Sequence, residues 1–489
     1  MKILSIETSC DETAVSIIEA SGDLNSPRFT ILGNALYSQI STHAEYGGVF
    51  PALAKREHTL NLVPMLKLAT EEAFEHASKA TQNGAENSTN QTTNKKSENA
   101  QETANTELSA ELRAQILEIL SRENDLGPAL LDFLDTHEVF GIDAIAVTQG
   151  PGLEPALWVG ISFAKALALA LNKPIIPVNH MEGHIVSVLT ESTELDRNDD
   201  IHNSKTNRAV QFPALALLIS GGHTELVLSK DWHQYEVIGQ TVDDAVGEAF
   251  DKVARLMNLP YPGGPKISRL AAESRAENLR EKYKTDTTLS YDAGLGEYPW
   301  TLPRPMLKSS DFNFSFSGLK TAVLYAVKDK LKNRTDIADI SANISTKELH
   351  SEHIASKDTP QLSEIEIKTL AEEFENAVTD VLVHKTRKAI EETNAQTLII
   401  GGGVIANTHI REAFKKVADQ TGVQLFTPSV SLSTDNSVMI GVAGYLRWIA
   451  KDKGILMPEN LRKIDGTLDN GDFSMEKLAE FRANGNLSL

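Results

Sequence analysis

His180 and His184, in the stretch VNHMEGHIVSV (178–188), are the residues whose types and spacing first suggest chemistry. They follow the strand-like PIIPV, and Asn179 can cap a helix that begins near His180. Positions four apart on a helix face the same way, so both imidazoles can reach one metal ion. The alternative is a pair of histidines on a solvated helix face. A zincin protease would need its general-base Glu directly after the first His, where this chain has Met181. Glu182 lies roughly 200° around the helix from His180, at about 100° per residue, away from the face the imidazoles share. Proteolysis therefore lacks its base. A two-His site wants a third ligand, usually a carboxylate, with positions left open for substrate. That pattern suits one divalent metal, Fe(2+) first and Zn(2+) second. Asp435, in LSTDNSVMIGVAGYL (432–446), stands at the start of an apolar helix and either supplies that carboxylate or simply caps the helix.

Two glycine-rich stretches run from strand to helix: AIAVTQGPGLEPALWVGISFAKALAL (144–169) and TLIIGGGVIANTHIREAF (397–414). Glycine admits close backbone approach, and helix N-termini offer free N–H groups to anions. Neither is a Walker A motif, since no GK[ST] follows the glycines. In GQTVDDAVGEAFDKVARLMNLPYPGGPKISRLA (239–271), Asp243, Asp244, Glu248 and Asp251 read as a solvated helix face. If that helix borders a cleft, Asp251 can accept a hydrogen bond from a ribose or amino-acid hydroxyl, and Gly263 and Gly264 can admit the ligand. In DFNFSFSGLKTAV (311–323), Phe312, Phe314 and Phe316 share one strand face and read as core, and Ser317-Gly318 opens a helix.

The elements that must position these residues follow from the rest of the chain. Its 489 residues allow two or three domains, and 41% hydrophobic with 23% charged residues is ordinary globular material. Against 67 acidic residues stand 47 basic ones, a net −20 that argues against a chain coated for nonspecific binding to nucleic acid or anionic membrane. Glu7, Asp11 and Glu12 interrupt the apolar run that a secretory signal would need, and ALWVGISFAKALALALN (156–172) carries Lys165 and reads as a buried helix. No membrane association and a cytoplasmic address are expected. Cys10 is the only cysteine, so no internal disulfide forms.

Residues 79–108 lose nearly all apolar residues except Ala and read as a disordered insert, while 191–207, 282–298 and 344–361 read as surface loops. Elsewhere short β-branched runs alternate with helical stretches, which predicts an α/β chain. KILSIETSCDETAVSIIEA (2–20) and LALLISGGHTELVLSKD (215–231) each read as strand, tight turn and returning strand. That echo predicts two lobes whose turns face each other across a central cleft, a duplication that resembles the actin, sugar-kinase and Hsp70 (ASKHA) fold. The expected boundaries are 1–185 for the first lobe, completed by 430–452, then 186–429 for the second lobe and 453–489 for a polar C-terminal appendage.

SIETSCDETAVSI, HAEYGGVFPALAKREH, GPGLEPALWVG, VNHMEGHI, LLISGGHTEL, DDAVGEAFDKVARLMNLPYPGGP, FSFSGLKTA, GGGVIAN and TDNSVMI occur in an order that resembles the tRNA threonylcarbamoyladenosine transferase family of the bacterial TsaD type, once called glycoproteases. The resemblance runs from residue 2 to about 447, outside the inserts and tail. It implies transfer of a threonylcarbamoyl group from threonylcarbamoyl-AMP to N6 of the adenine just 3′ of the anticodon, in tRNAs reading codons that begin with A. It also implies that His180, His184 and Asp435 are metal ligands, and that Leu218, Ile219, Ser220, Gly221, Gly222, Asp251, Gly264 and Asn407 contact the adenylate and threonyl groups. Asp11 resembles the acidic residue near the reacting centre, in a proton-accepting or substrate-orienting role. The implied partners are tRNA, a TsaB-like paralogue forming a heterodimer, and a TsaE-like ATPase, with TsaC or a relative making the adenylate. Two departures stand out: Ala52 where the family usually has Glu, and Pro155-Ala156 after GPGL. The first puts in doubt a contact with tRNA or a partner.

Overall fold

Two runs of apolar and β-branched residues, Lys2–Glu7 (β1) and Glu12–Ser21 (β2), fold back on each other about the turn Thr8–Asp11, with Ile6 opposite Val15 and Glu7 opposite Ala14. In the computed structural model, which describes residues 1–86, 108–190, 209–279, 300–332, 362–452, 478 and 480–489, both faces of this hairpin are buried. β3 (Arg28–Ser38) extends it antiparallel, while β4 (Ala144–Gly150) and β5 (Ile175–Asn179) add in parallel on the other side, giving the order β3-β2-β1-β4-β5. The second half repeats the scheme. β6 (Ala214–Ile219), β7 (Thr224–Asp231) and β8 (Gln234–Gln240) pair antiparallel, and β9 (Thr397–Gly401) and β10 (Gln424–Phe426) join β6 in parallel. Strand for strand, the two mixed sheets have the same order and directions, so the echo read between residues 2–20 and 215–231 is the visible part of a duplicated α/β plan.

Helices cover the sheets because strands with two apolar faces must be buried on both sides. On the outer face of the first sheet lie α1 (Ile40–Ala44), α2 (Pro51–Glu86), α3 (Ala110–Ile119), α4 (Leu126–Thr136) and α5 (Glu154–Leu171). Leu62, Leu66, Leu130 and Phe163 from this layer pack with Leu4, Ile6, Val15 and Ile17. Among the described residues α5 alone is long and apolar enough to cross a membrane, and most of it is buried, as expected for a core helix. α6 (His180–Val186) follows β5 directly. The second sheet's outer layer is α7 (Val246–Leu256), α8 (Gly263–Ala276), α9 (Ser317–Lys332), α10 (Glu364–Thr393) and α11 (Thr408–Thr421). Phe314 and Phe316 are fully buried there, as core. α12 (Ser437–Asp452) lies with α6 between the inner faces, where Met439, Ile440, Met181 and Ile185 meet Ile3 and Ala146 of one sheet and Ala216 and Leu218 of the other. The two halves thus share one core layer.

Two sequence expectations need correction. α2 continues to Glu86, so the stretch read as an insert from 79 begins within a helix. Extending an existing helix costs little, because each added residue gains a hydrogen bond without a new nucleus. The rest of that stretch, and the segments 191–207, 282–298 and 344–361, lie outside the described residues apart from Leu108, which packs against the first core. The end of the expected appendage is no appendage: Leu478 and Phe481 are buried in the first core. Asn484 N–H donates to Gln149 O, and Gly152 N–H donates to Gly485 O. Two apolar anchors in polar text are a weak sequence signal, and these hydrogen bonds use backbone that any residue supplies.

The fit between β3 and α2 depends on Gly33, where an added Cβ would lie 2.0 Å from the Ala69 carbonyl oxygen. Gly33→Ala is therefore expected to destabilise the chain by about 1–3 kcal/mol, read as a lower Tm. An unchanged Tm would show that α2 does not press on β3 at that point.

Candidate metal centre

The site begins with a helix start. Asn179, the last residue of β5, accepts the N–H groups of Met181 (2.9 Å) and Glu182 (3.3 Å) on its side-chain oxygen. This cap turns the chain into α6 with His180 as its first residue. The side-chain nitrogen of Asn179 donates to Ser488 O (3.2 Å), so the C-terminal segment sets which way the capping amide faces. One turn of helix then brings the His180 and His184 rings to 4.7 Å between centroids.

Asp435 arrives from the loop before α12. Its Oδ1 lies 3.1 Å from His184 Nε2 and 3.5 Å from His180 Nε2, and ligand atoms of all three residues fall within 4.8 Å of one another. The capping role left open for Asp435 belongs to its neighbour: Asn436 accepts Met439 N–H at 3.0 Å. Asp435 is thereby free to face the imidazoles.

Glu7, at the end of β1, completes the arrangement and was not foreseen. Its Oε2 accepts from His180 Nδ1 (3.0 Å) and the Thr148 hydroxyl (2.6 Å), and its Oε1 accepts Ser9 N–H (2.5 Å). In the neutral ring, a proton held at Nδ1 leaves the Nε2 lone pair of His180 turned toward Asp435, the orientation a metal ligand needs. The missed signal was an acid in an otherwise apolar strand whose burial demands a partner. Burial opposes charge on His180, yet Asp435 and Glu7 outweigh it and hold its pKa well above the usual histidine value. The same pairing overcomes burial to depress both carboxylates, Asp435 well below its ordinary range. Among the described residues, His184 Nδ1 is buried with no hydrogen-bond partner. Two imidazoles and two carboxylates so enclosed carry an excess of negative charge when the rings are neutral, and a divalent cation suits that deficit. The donor set fits a metal.

Glu182 points the other way, as its helix position predicts. It is fully buried and accepts from His233 Nδ1 (2.8 Å), the Tyr235 hydroxyl (3.2 Å) and Arg447 Nε (2.5 Å). Burial opposes its charge, but Arg447 and His233 pull its pKa down to about 2. Arg447 also donates to Pro177 O (3.1 Å), so this cluster ties α6, α12 and the β7–β8 hairpin together.

Of the other residues singled out in the sequence, Asp11 and the turn after β6 lie beside this centre. Asp11 is in the β1–β2 turn, 8% exposed. Burial raises its pKa, and Asp435 adds to the rise. Leu218 and Ile219 end β6, buried, and the turn Ser220–His223 follows, closed by Ser220 N–H donating to His223 O (2.9 Å). Gly221 and Gly222 face open space. The start of α7 abuts this turn, with Gly247 N–H donating to Ser220 O at 3.2 Å. His223 was not singled out. Its pKa falls to about 4, through burial and the nearness of His180 and His184. Asp251 does not lie on a solvated face: its Oδ1 accepts Gly263 N–H (2.7 Å) at the start of α8, and burial raises its pKa. Gly264 beside it leaves room, its nearest neighbour being Phe250 Cβ at 3.9 Å. Asp243 also has an internal use, accepting the Phe316 and Ser317 N–H groups at the start of α9. Tyr261 sits near both Asp11 and Asp251, and burial together with their charge raises its pKa, away from ionisation. The turns of the two halves therefore converge. Asn407 stands in a separate cluster, capping α11 through Ile410 N–H (3.0 Å) and donating to Glu375 Oε1 (2.5 Å). Ala52 is exposed at the start of α2, and Pro155 occupies the first turn of α5, where a missing N–H costs nothing.

A sequence profile described as tRNA N6-adenosine threonylcarbamoyltransferase matches residues 30–80 and 137–442. The chain is 36% identical to a protein of that name from Polynucleobacter necessarius subsp. necessarius (strain STIR1), over 93% of this chain and 94% of the other. It is 35% identical to the one from Persephonella marina (92% and 90% covered) and 34% identical to the one from Staphylococcus carnosus (97% and 98% covered).

The Glu182 cluster gives a stability test independent of activity. Because folding depresses its pKa from 4.5 to about 2, its contribution is complete above about pH 4.5 and is lost as pH falls toward 2. Glu182→Gln is expected to cost about 3 kcal/mol at neutral pH by leaving Arg447 uncompensated, with the difference from the parent narrowing in that acidic window. Denaturant titrations at pH 7 and pH 3 read both effects, and equal stability at pH 7 would refute the charged clamp.

Proposed function

The chain belongs to the tRNA N6-adenosine threonylcarbamoyltransferase family, and we propose that it modifies the adenosine just 3′ of the anticodon in tRNAs reading codons that begin with A, using threonylcarbamoyl-AMP as donor and releasing AMP. The observation that carries this reading is the meeting of His180, His184 and Asp435 beside the Ser220–His223 turn and Asp11. The matching strand order of the two sheets supports an actin, sugar-kinase and Hsp70-like fold with the site in its central cleft.

An adenine N6 amine is a weak nucleophile, so the rate must come from an activated carbamoyl carbon held close to it. His180, His184 and Asp435 would hold one divalent cation, Fe(2+) foremost and Zn(2+) as the alternative. Such a cation supplies Lewis-acid polarisation of carbamoyl and phosphate oxygens. The chain's own groups do the rest. Backbone N–H groups of Gly221 and Gly222, in the turn that Ser220 opens after the buried Leu218 and Ile219, receive the adenylate phosphate where no side chain intrudes. The Asp251 oxygen not engaged by Gly263 accepts a ribose or threonyl hydroxyl, and Gly264 leaves space for it. Asn407 has one amide N–H left after its bond to Glu375. As the bond from N6 to the carbamoyl carbon forms and the carbon–oxygen bond to phosphate breaks, AMP departs with the electron pair and Asp11 takes the N6 proton. Burial makes Asp11 a stronger base than an exposed aspartate.

The proposed setting is the cytoplasm, with a TsaB-like paralogue and a TsaE-like ATPase as partners. Leu36, Ile40, Tyr46, Phe50, Leu60 and Leu68 are exposed on β3, α1, α2 and the turn between the helices, which supports a protein surface there. Ala52, also exposed, follows Phe50 by two residues at the start of α2. A chain at −20 needs a local basic surface, its own or a partner's, to hold tRNA.

With both partners, threonylcarbamoyl-AMP and tRNA supplied, the parent protein is expected to yield N6-threonylcarbamoyladenosine by nucleoside mass spectrometry. His180→Ala should lower the yield at least about 100-fold while the variant stays folded. Parent-level product from His180→Ala would sink the metal-centred reading.

A further inference from the structure

The β1–β2 turn presents Asp11, and two successive carbonyls on that turn are held from behind, one by a buried side chain and one by backbone, from residues with no part in the transfer described above. Cys10 O lies 3.1 Å from His58 Nε2, and Asp11 O accepts the Gln39 backbone N–H at 2.9 Å. A carbonyl can only accept, so His58 Nε2 carries the proton. Burial holds the His58 pKa down at about 4, leaving the ring neutral with a lone pair on Nδ1. That lone pair accepts from the Thr13 hydroxyl (2.8 Å) and from the Gln39 side-chain amide (3.3 Å). With its nitrogen so directed, Gln39 turns its oxygen to His43 Nε2 (3.1 Å), which must also bear a proton. His43 Nδ1 then accepts Phe50 N–H at 3.3 Å. Thr13, Gln39, His43 and His58 all have no exposed surface. Each link dictates the orientation of the next, from the start of α2 to the carbonyls of Cys10 and Asp11.

We propose that His58 is a positioning residue for the transfer reaction: its Nε2–H, oriented by the Thr13–Gln39–His43 network, fixes the turn so that the Asp11 carboxylate meets the N6 proton. This rests on the proton-accepting role given to Asp11 above. A fully satisfied buried network of this kind specifies one geometry, whereas a broken one lets the turn relax. A misplacement near 1 Å is enough to cost about 100-fold in rate.

Two polar replacements of similar character separate positioning from packing. In His58→Asn the amide nitrogen falls near the Nδ1 position and cannot reach Cys10 O. In His58→Gln it reaches the Nε2 position and can donate there. With partners, threonylcarbamoyl-AMP and tRNA present, His58→Asn is expected to lower kcat about 100-fold with KM for the adenylate within about twofold. His58→Gln should recover to within about fivefold of the parent kcat. Adding His58→Asn to Asp11→Asn should lower the rate no further, because both changes remove one function. Equal kcat in the Asn and Gln variants, or full additivity with Asp11→Asn, would overturn the relay. Parent-like rates in Asp11→Asn alone would instead remove the role of Asp11, and if His58→Asn were then still slow, the fault would lie in the earlier assignment and not in the importance of His58. Should His58→Asn not fold, Gln39→Met carries the same comparison by removing the orienting amide, with loss of kcat expected and parent kcat refuting.

Discussion

Two imidazoles held between two carboxylates, in a junction nearly closed to water, set the terms for the rest of this structure. Burying Glu7, His180 and His184, with Asp435 partly enclosed beside them, is tolerable only when each charge meets its opposite at hydrogen-bonding distance. That requirement places β1, β4, α6 and the loop before α12 at one point. It also explains why the histidine helix is fixed from every side. Asn179 caps its start, Glu182 anchors its back to Arg447 and His233, and Glu7 sets the ring of its first residue.

The duplicated sheets make such a junction possible. Each half ends its first hairpin in a tight turn, and the shared layer of α6 and α12 brings both turns to the same place. One turn supplies a carboxylate, Asp11, and the other supplies bare glycine backbone at Gly221 and Gly222. One plan used twice thus sets a carboxylate and bare backbone at the corresponding turns of the two halves. Tyr261, which sits near both Asp11 and Asp251, marks the line where the halves meet.

Much of the site could be read from residues alone. The four-residue spacing of His180 and His184, and Asn179 as cap, follow from helix geometry, a local property. The same geometry correctly turned Glu182 away and removed the protease reading. Asp435 could not be separated from a capping residue by local pattern, because Asp435 and Asn436 both suit a helix start and only the fold shows that Asn436 takes that role. Among the acids of 243–251, Glu248 is exposed as helical periodicity suggested, while Asp243 and Asp251 are also used at the starts of α9 and α8, contacts outside their own segment that periodicity does not show.

The chain's sequence determined its strands, its tight turns, the two imidazoles on one helix turn and, through ordered motifs, its family, since these depend on near neighbours and residue type. Tertiary structure alone decided that Glu7 orients His180, that Glu182 bonds Arg447, that His58 reaches Cys10 O, and that Leu478 and Phe481 belong to the core. Those pairings join residues far apart in the chain, and what selects them is the cost of leaving a buried polar group unpaired or an apolar one in water, a cost that exists only once the whole chain has closed.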